Sequence, residues 1–365
     1  MLLGWLLDEA FGDPGRWHPV AGFGLVAAAL EKRTHAPDRW AGVLHVGLLL
    51  GTTVAGGVLL ERASGGRPRL ATALTATATW TVLGGRSLRR EARAVHRHLA
   101  DGDLPSARLR IRSLVGREPS QLTSPELARA TVESVAENTS DAVVAPLLWG
   151  AVAGIPGLLG YRVINTLDAM IGHRNPRYCR FGWAAARLDD AANWVPARVA
   201  ALLTAAAAPL VGGRPSRALH TVRADAHRHP SPNAGPIEAA FAGALGVQLG
   251  GVNSYAGVAE DRGTLGDGPA VTPADIPRGS RLAAATGALA AGLATTAALL
   301  LADRRISRRG IVTRKLNGDS EIERGFSGYV KGYGPSSAPD SPAPMVNRLA
   351  LQQRMRDYLH AHSRS

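Results

Sequence analysis

Cysteine is all but absent: Cys179 is the only one in 365 residues. A lone thiol rules out an intrachain disulfide and any zinc site built on cysteine. The His-Arg-His triplets at 96–98 and 227–229 therefore lack the partners that zinc would want. Aromatic residues make up only 5% of the chain. RNA-binding faces interleave aromatic platforms with basic side chains, so the formal charge of +13 does not read as nucleic-acid binding. It suits anionic lipid or anionic substrates instead. No GxxxxGK[ST] run occurs, which excludes a P-loop, and Gly22-Phe23-Gly24 follows no strand that would make it a dinucleotide turn. The start, "MLLGWLLDEAFGD", has neither a basic leader nor a small-residue cleavage site, so it does not read as a removed signal peptide. Internal repeats and strand-like alternation are also missing.

Long charge-free runs are what the chain has instead. Residues 41–60 and 283–302 carry no charge, and twenty helical residues reach about 30 Å, one bilayer core. Residues 143–161 and 195–213 are less pure, and 70–85 is short but uncharged. Five candidates predict a mainly α, polytopic helical membrane protein in contact with the lipid bilayer. An Arg-rich insert at about 86–140, with apolar residues at helical spacing, is expected to be helical and to lie in the cytosol, because positive loops stay on that side. A second polar region, about 214–282, ends in "GTLGDGPAVTPADIPRG" and reads as loop. Residues 1–303 read as one membrane domain. The remainder, 304–365, is a Pro/Ser/Gly-rich tail with a short amphipathic pattern at 346–361.

Polar clusters border the apolar runs. Glu133, Glu137 and Asp141 stand at four-residue spacing, with Asn138 and Ser140 among them. Each such step turns about 40° on a helix, so the carboxylates share one face and repel. No Lys or Arg interleaves them; a metal or a cationic partner would relieve the repulsion. A second set holds Asn165, Asp168, Arg174, Arg187, Asp189, Asp190 and Asn193. The third, "DAHRHPSPNAGPIEAA", offers Asp225, His227, His229, Ser231, Asn233 and Glu238 in a proline-stiffened loop. A fourth, smaller set near the start holds Asp8, Asp13, Arg16 and His18. Any one of these reads as helix capping. Four at membrane edges point to function, since ionisable groups near bilayer depth are costly.

"GDPGRWHPV", "ESVAENTSDAVVAPLLWG", "NTLDAMIGHRNPRY", "FGWAAARLDDAANWVPAR" and "HPSPNAGPIEAAFAGALGVQLGG" together resemble the CobD/CbiB family of cobalamin biosynthesis, from about residue 3 to 302. The tail departs from that pattern. The resemblance implies a multi-pass cell-membrane synthase whose active face is cytosolic. It would join adenosylcobyric acid to (R)-1-amino-2-propanol or its O-phosphate by an ATP-dependent amide ligation, giving adenosylcobinamide (phosphate). Other membrane proteins of the same pathway are conceivable partners.

Activating a carboxylate as an acyl phosphate is mainly a matter of positioning and charge neutralisation, to which Mg²⁺ held by carboxylates contributes. On that chemistry Glu133, Glu137, Asp141, Asp168, Asp189 and Asp190 are catalytic candidates, with Glu137, Asp141, Asp189 and Asp190 as Mg²⁺ ligands. Asp13, His18, Asn138, Ser140, Asn165, Arg174, Arg187, Asn193, Ser231 and Asn233 are candidates for binding substrate. His227, His229 or Asp225 could accept the amine proton. A full crossing by 143–161 would part the first two sets. Pro146, Gly150, Gly154, Pro156, Gly157 and Gly160 allow the segment to turn back instead. Rival readings are a transporter, which midplane charges and broken helices would suit, and a signalling relative of the ampicillin-resistance protein AmpE. Against the transporter, the charges lie at segment ends.

Overall fold

A computed structural model of the protein describes residues 1–13, 18–115, 119–255 and 258–301. Met1–Arg304 form one compact unit. Arg16, Arg117 and the tail, with its 346–361 pattern, lie outside the described residues. In chain order the helices are α1 (Leu2–Phe11), α2 (Pro19–Thr34), α3 (Arg39–Ala63), α4 (Pro68–Val82), α5 (Gly85–Ala100), α6 (Leu104–Ile111), α7 (Ser124–Thr139), α8 (Ala145–Ile171), α9 (Trp183–Ala207), α10 (Pro215–Asp225) and α11 (Ala234–Leu245). An antiparallel hairpin, β1 (Leu249–Tyr255) with β2 (Val258–Leu265), precedes α12 (Asp275–Leu301).

Local chemistry starts these helices. Asp38 Oδ2 accepts from the Trp40 and Ala41 N–H groups and opens α3. Glu126 closes a capping box with Thr123 at the head of α7. Asp275 Oδ2 accepts from both the N–H and the hydroxyl of Thr272 where α12 begins.

The chain is a polytopic helical membrane protein. Among the described residues, four helical stretches are long and apolar enough to cross a membrane: 39–63, 124–171, 183–211 and 275–301. On α3 Trp40, Leu44, Leu48 and Leu59 are all exposed, Trp40 by 78%. An apolar stripe of that size suits lipid rather than water. The fifth expected segment, 70–85, falls in α4, whose 15 residues reach only about 22 Å, short of a span.

One further expectation fails. The apparent loop at 214–282 contains α10, α11, the β-hairpin and the start of α12. The strands show no alternation in the sequence because Gly250, Gly251 and Gly263, all at positive φ, interrupt it, and a bulge shifts the register between Gly250 and Val252. The insert at 86–140 is helical, as the helical spacing of its apolar residues predicts. Its Leu88, Val95, Leu99, Ile111, Leu127 and Val135 share one core with Phe241 and Leu245 of α11 and Leu282 of α12.

Candidate active site

The stretch 124–171 is long enough to cross twice, and it does not run straight. Gly154 has φ 65° and ψ −145°, left-handed backbone that favours glycine, and the helix doubles back there. A Cβ on Gly157 would stand 2.2 Å from Trp149 O, and one on Gly150 would stand 2.8 Å from the Leu158 side chain. Residues eight apart in sequence touch, so the arms 145–153 and 155–171 form a glycine-lined hairpin.

Folding back returns Tyr161 to Asp141. Ser140–Val144 forms a π-helical turn in which the Ala145 N–H bonds Ser140 O, so Asp141 O is left without its usual α-helical donor. The Tyr161 hydroxyl takes that place at 3.0 Å and lies 2.7 Å from Asn193 Oδ1 on α9. Trp149 Nε1 donates to Ala192 O at 3.0 Å, fastening the outgoing arm to the same helix.

The carboxylates gather around this joint. Asp141 lies within charge–charge range of Asp189, Glu137 and Asp168, and Asp168 within range of Asp190 and Glu137. Asn165 Nδ2 donates weakly to Asp189 Oδ1 at 3.4 Å, and Arg187 reaches Asp190 at 3.8 Å on an exposed face. Arg162 interacts with Asp13 and Asp141, and its buried Nε has no hydrogen-bond partner among the described residues. Asn233 Nδ2 donates to Asp190 O at 2.9 Å, bringing the third stretch to the second. Four separate segments of the chain thus meet.

Other candidates lie differently. Glu133 is buried away from this cluster, accepting from the Gly250 N–H at 2.9 Å with Arg129 Nε at 3.8 Å. Its relief is a cation one turn back and a strand backbone. Asn138 Nδ2 donates to Ser134 O, Ser140 is buried, and Arg174 is exposed. His18 caps α2, its Nδ1 accepting from the Val20 N–H. The Asp13 N–H donates to Ser87 Oγ. Asp8 caps α5 from another helix, accepting from the Arg86 N–H at 3.2 Å; burial raises its carboxyl to about 6 against that bond.

In the third stretch His227 is exposed, whereas His229 is enclosed. Its Nδ1 accepts from the Ser231 N–H at 3.0 Å, and its Nε2 lies 3.6 Å from Glu238 Oε1. Burial, with the Arg262 charge behind it, lowers the imidazole to about 4, so it is neutral at pH 7. Ser231 Oγ accepts from the Ala234 N–H at the start of α11. Asp225 accepts from the Gly266 N–H and pairs with Arg228 at 3.1 Å.

No group of three His, Cys, Asp or Glu side chains among the described residues is placed to hold a metal alone. Glu137, Asp141, Asp189 and Asp190 nevertheless suit Mg²⁺ as a hard oxygen set, because that ion takes one or two carboxylates and completes its shell with water and substrate phosphates. Tyr161 and Arg162 also meet this cluster, although no motif singled them out. Their signal is a polar ring and a first charge closing the apolar run 143–161.

A family model described as CobD/Cbib protein matches residues 1–283. A Mycobacterium tuberculosis protein described as cobalamin biosynthesis protein CobD is 53% identical over 305 residues, covering 84% of this chain and 96% of its own. Proteins of the same description from Geobacter metallireducens and Rhodobacter capsulatus are each 46% identical, over 268 and 288 residues, covering 72% and 77% of this chain and 84% and 88% of their own. No solved structure matches.

Proposed function

The chain belongs to the CobD/CbiB family and acts in cobalamin biosynthesis, and from that premise we propose that it is the amide-forming ligase of adenosylcobyric acid. One observation carries the reading: Tyr161 reaches both the Asp141 carbonyl and Asn193 of α9, and Asn233 donates to the Asp190 carbonyl on that same helix, so three distant stretches converge. A reaction that needs a carboxyl, a phosphoryl donor and an amine within about 3–3.5 Å requires such convergence.

The propionate carboxylate attacks the γ-phosphorus of ATP, ADP leaves, and an acyl phosphate forms. The amine of 1-amino-2-propanol, or of its O-phosphate, attacks that carbonyl; inorganic phosphate departs and the nitrogen gives up a proton. Mg²⁺ arriving with the nucleotide would neutralise phosphate charge, held by one or two of Glu137, Asp141, Asp189 and Asp190. Arg162 is the inward cation for a phosphate or a substrate carboxylate, and Arg187 stands at the exposed rim. Asn165, Asn193, Asn233 and Ser231 orient the acidic side chains and their loop. His229, neutral and enclosed, is a weak proton acceptor, and Asp225 is engaged with Arg228. The amine proton therefore goes to a carboxylate of the cluster.

The site faces the cytosol, where nucleotide and corrinoid are made. Purified protein should release ADP and phosphate only when adenosylcobyric acid and an amino alcohol are both present. Assays with the free and the phosphorylated amine identify the acceptor. Hydrolysis that ignores the corrinoid would rule the reading out.

A further inference from the structure

The last turn of α3 ends in a carboxylate that belongs to none of the clusters above. Glu61 Oε1 accepts from the Ile155 N–H at 2.8 Å, across 94 residues. Ile155 opens the returning arm of the hairpin, so its N–H is one of the donors a helix start leaves unpaired. A carboxylate there also faces the positive end of the helix dipole. Gly154 permits the approach: a Cβ on it would stand 2.0 Å from Glu61 Oε1.

From that contact α3 and the returning arm run antiparallel. Gly57 packs on Pro156, and Gly160 on Val54 and Leu50. Val46 and Leu49 then share a core with Val163, Leu167 and Ile171. Tyr161 and Asp168 lie about 9 and 20 Å along this rod from Ile155, at 1.5 Å per residue. A close-packed rod pinned at its first peptide passes a shift at the tip to every residue it carries.

We propose that Glu61 is a positioning residue for the active site: by capping the hairpin tip from α3, it sets the register of Tyr161, Arg162, Asn165 and Asp168 against α9. Its effect on turnover rests on the ligase reading; its effect on geometry does not. A cavity of about 450 Å³ lined by Glu61, Ser64, Arg67, Thr75 and Ile155 borders the cap. Water can therefore reach the Ile155 N–H when the carboxylate is removed, which should keep Glu61→Ala foldable.

The test uses full-length protein in a Cys179→Ala background with two spin-label pairs. Cysteines at Arg62 and Ala153 read the tip, and cysteines at Ala169 and Ala191 read the site end; all four positions are exposed. Glu61→Ala should broaden both distance distributions and lower kcat by on the order of 10²-fold, with KM little changed. Glu61→Gln, whose amide oxygen still accepts, should stay near the parent in both. Gly154→Ala, which crowds the cap without removing it, should shift the same pairs. An unmoved Ala169/Ala191 distance in Glu61→Ala and Gly154→Ala overturns the proposal, as does unchanged kcat beside a shifted distance. If the parent shows no ligation, the reaction proposed above fails, and the two distances still decide the role of Glu61.

Discussion

The Tyr161 hydroxyl lies 2.7 Å from Asn193 Oδ1 across 32 residues, and 3.0 Å from Asp141 O on its other side. One phenol thus joins the returning arm of a hairpin, the π-helical turn that starts its outgoing arm, and the helix that carries Asp189 and Asp190. The π turn makes the joint possible together with Pro146: it takes the Ala145 N–H to Ser140 O, and the proline has no N–H to give Asp141 O in its place.

Tyr161→Phe keeps the ring and removes this joint. Asn193 Oδ1 and Asp141 O would then face an apolar edge in a buried setting, at a cost of about 1–3 kcal/mol. The expected outcome is a lower unfolding midpoint in detergent together with weakened ligation. A variant as stable as the parent would show that water, rather than the protein, satisfies these groups.

Glu137→Gln and Asp141→Asn should abolish ligation while leaving protein level and unfolding midpoint near the parent, because they remove charge from a like-charged cluster. Glu133→Ala should do the reverse. The carboxylate it removes holds the Gly250 N–H, so this variant should loosen the β-hairpin, seen as faster amide exchange at residues 249–251, with turnover retained in the folded fraction. Matching losses of activity and of folded protein in all three would reassign the whole acidic run to structure.

These contrasts mark how far the sequence could be read. α3 and α12 are legible because lipid asks for little beyond uninterrupted apolar residues. The turn at Gly154 is legible as an option, since Gly150, Gly154, Pro156 and Gly157 crowd one stretch, but not which glycine takes the positive φ. Four-residue spacing placed Glu133 with Glu137 and Asp141; its actual partner, the Gly250 N–H, lies 117 residues away, and no periodicity encodes such a distance. Nor could the motifs show that Tyr161, rather than a second carboxylate, would meet Asn193.

His229 predicts a pH dependence of stability. Its imidazole is lowered from 6.5 to about 4 in the fold, so between those values the unfolded chain binds a proton that the folded chain refuses. Stability is fully present above about pH 6.5 and is lost as pH falls toward 4, by on the order of 3 kcal/mol for this one group. Chemical denaturation at pH 7 and pH 4.5 should show a smaller difference for His229→Gln than for the parent. Equal differences would mean that His229 takes up its proton inside the fold, beside Glu238.

The hairpin carries the chain in and brings it back, so Asp141 and Tyr161 meet without a crossing between them, and Asn233 closes on Asp190 from the third stretch. All three stretches must then open to one compartment. On the ligase reading that compartment is the cytosol, where the nucleotide is, and Arg174, Arg177 and Arg180 in the connection between α8 and α9 agree with the retention of positive loops there. Ala169, Ala191 and Pro232 are exposed positions, one beside each of Asp168, Asp190 and Asn233. Single cysteines at these sites, in a Cys179→Ala background, should resist an impermeant thiol reagent on intact cells and react once the membrane is opened. Labelling of all three from outside would keep the shared site and reverse its orientation. Labelling of only one or two, in active protein, would break the site apart, because a 30 Å hydrocarbon layer cannot lie between groups that must react with one another.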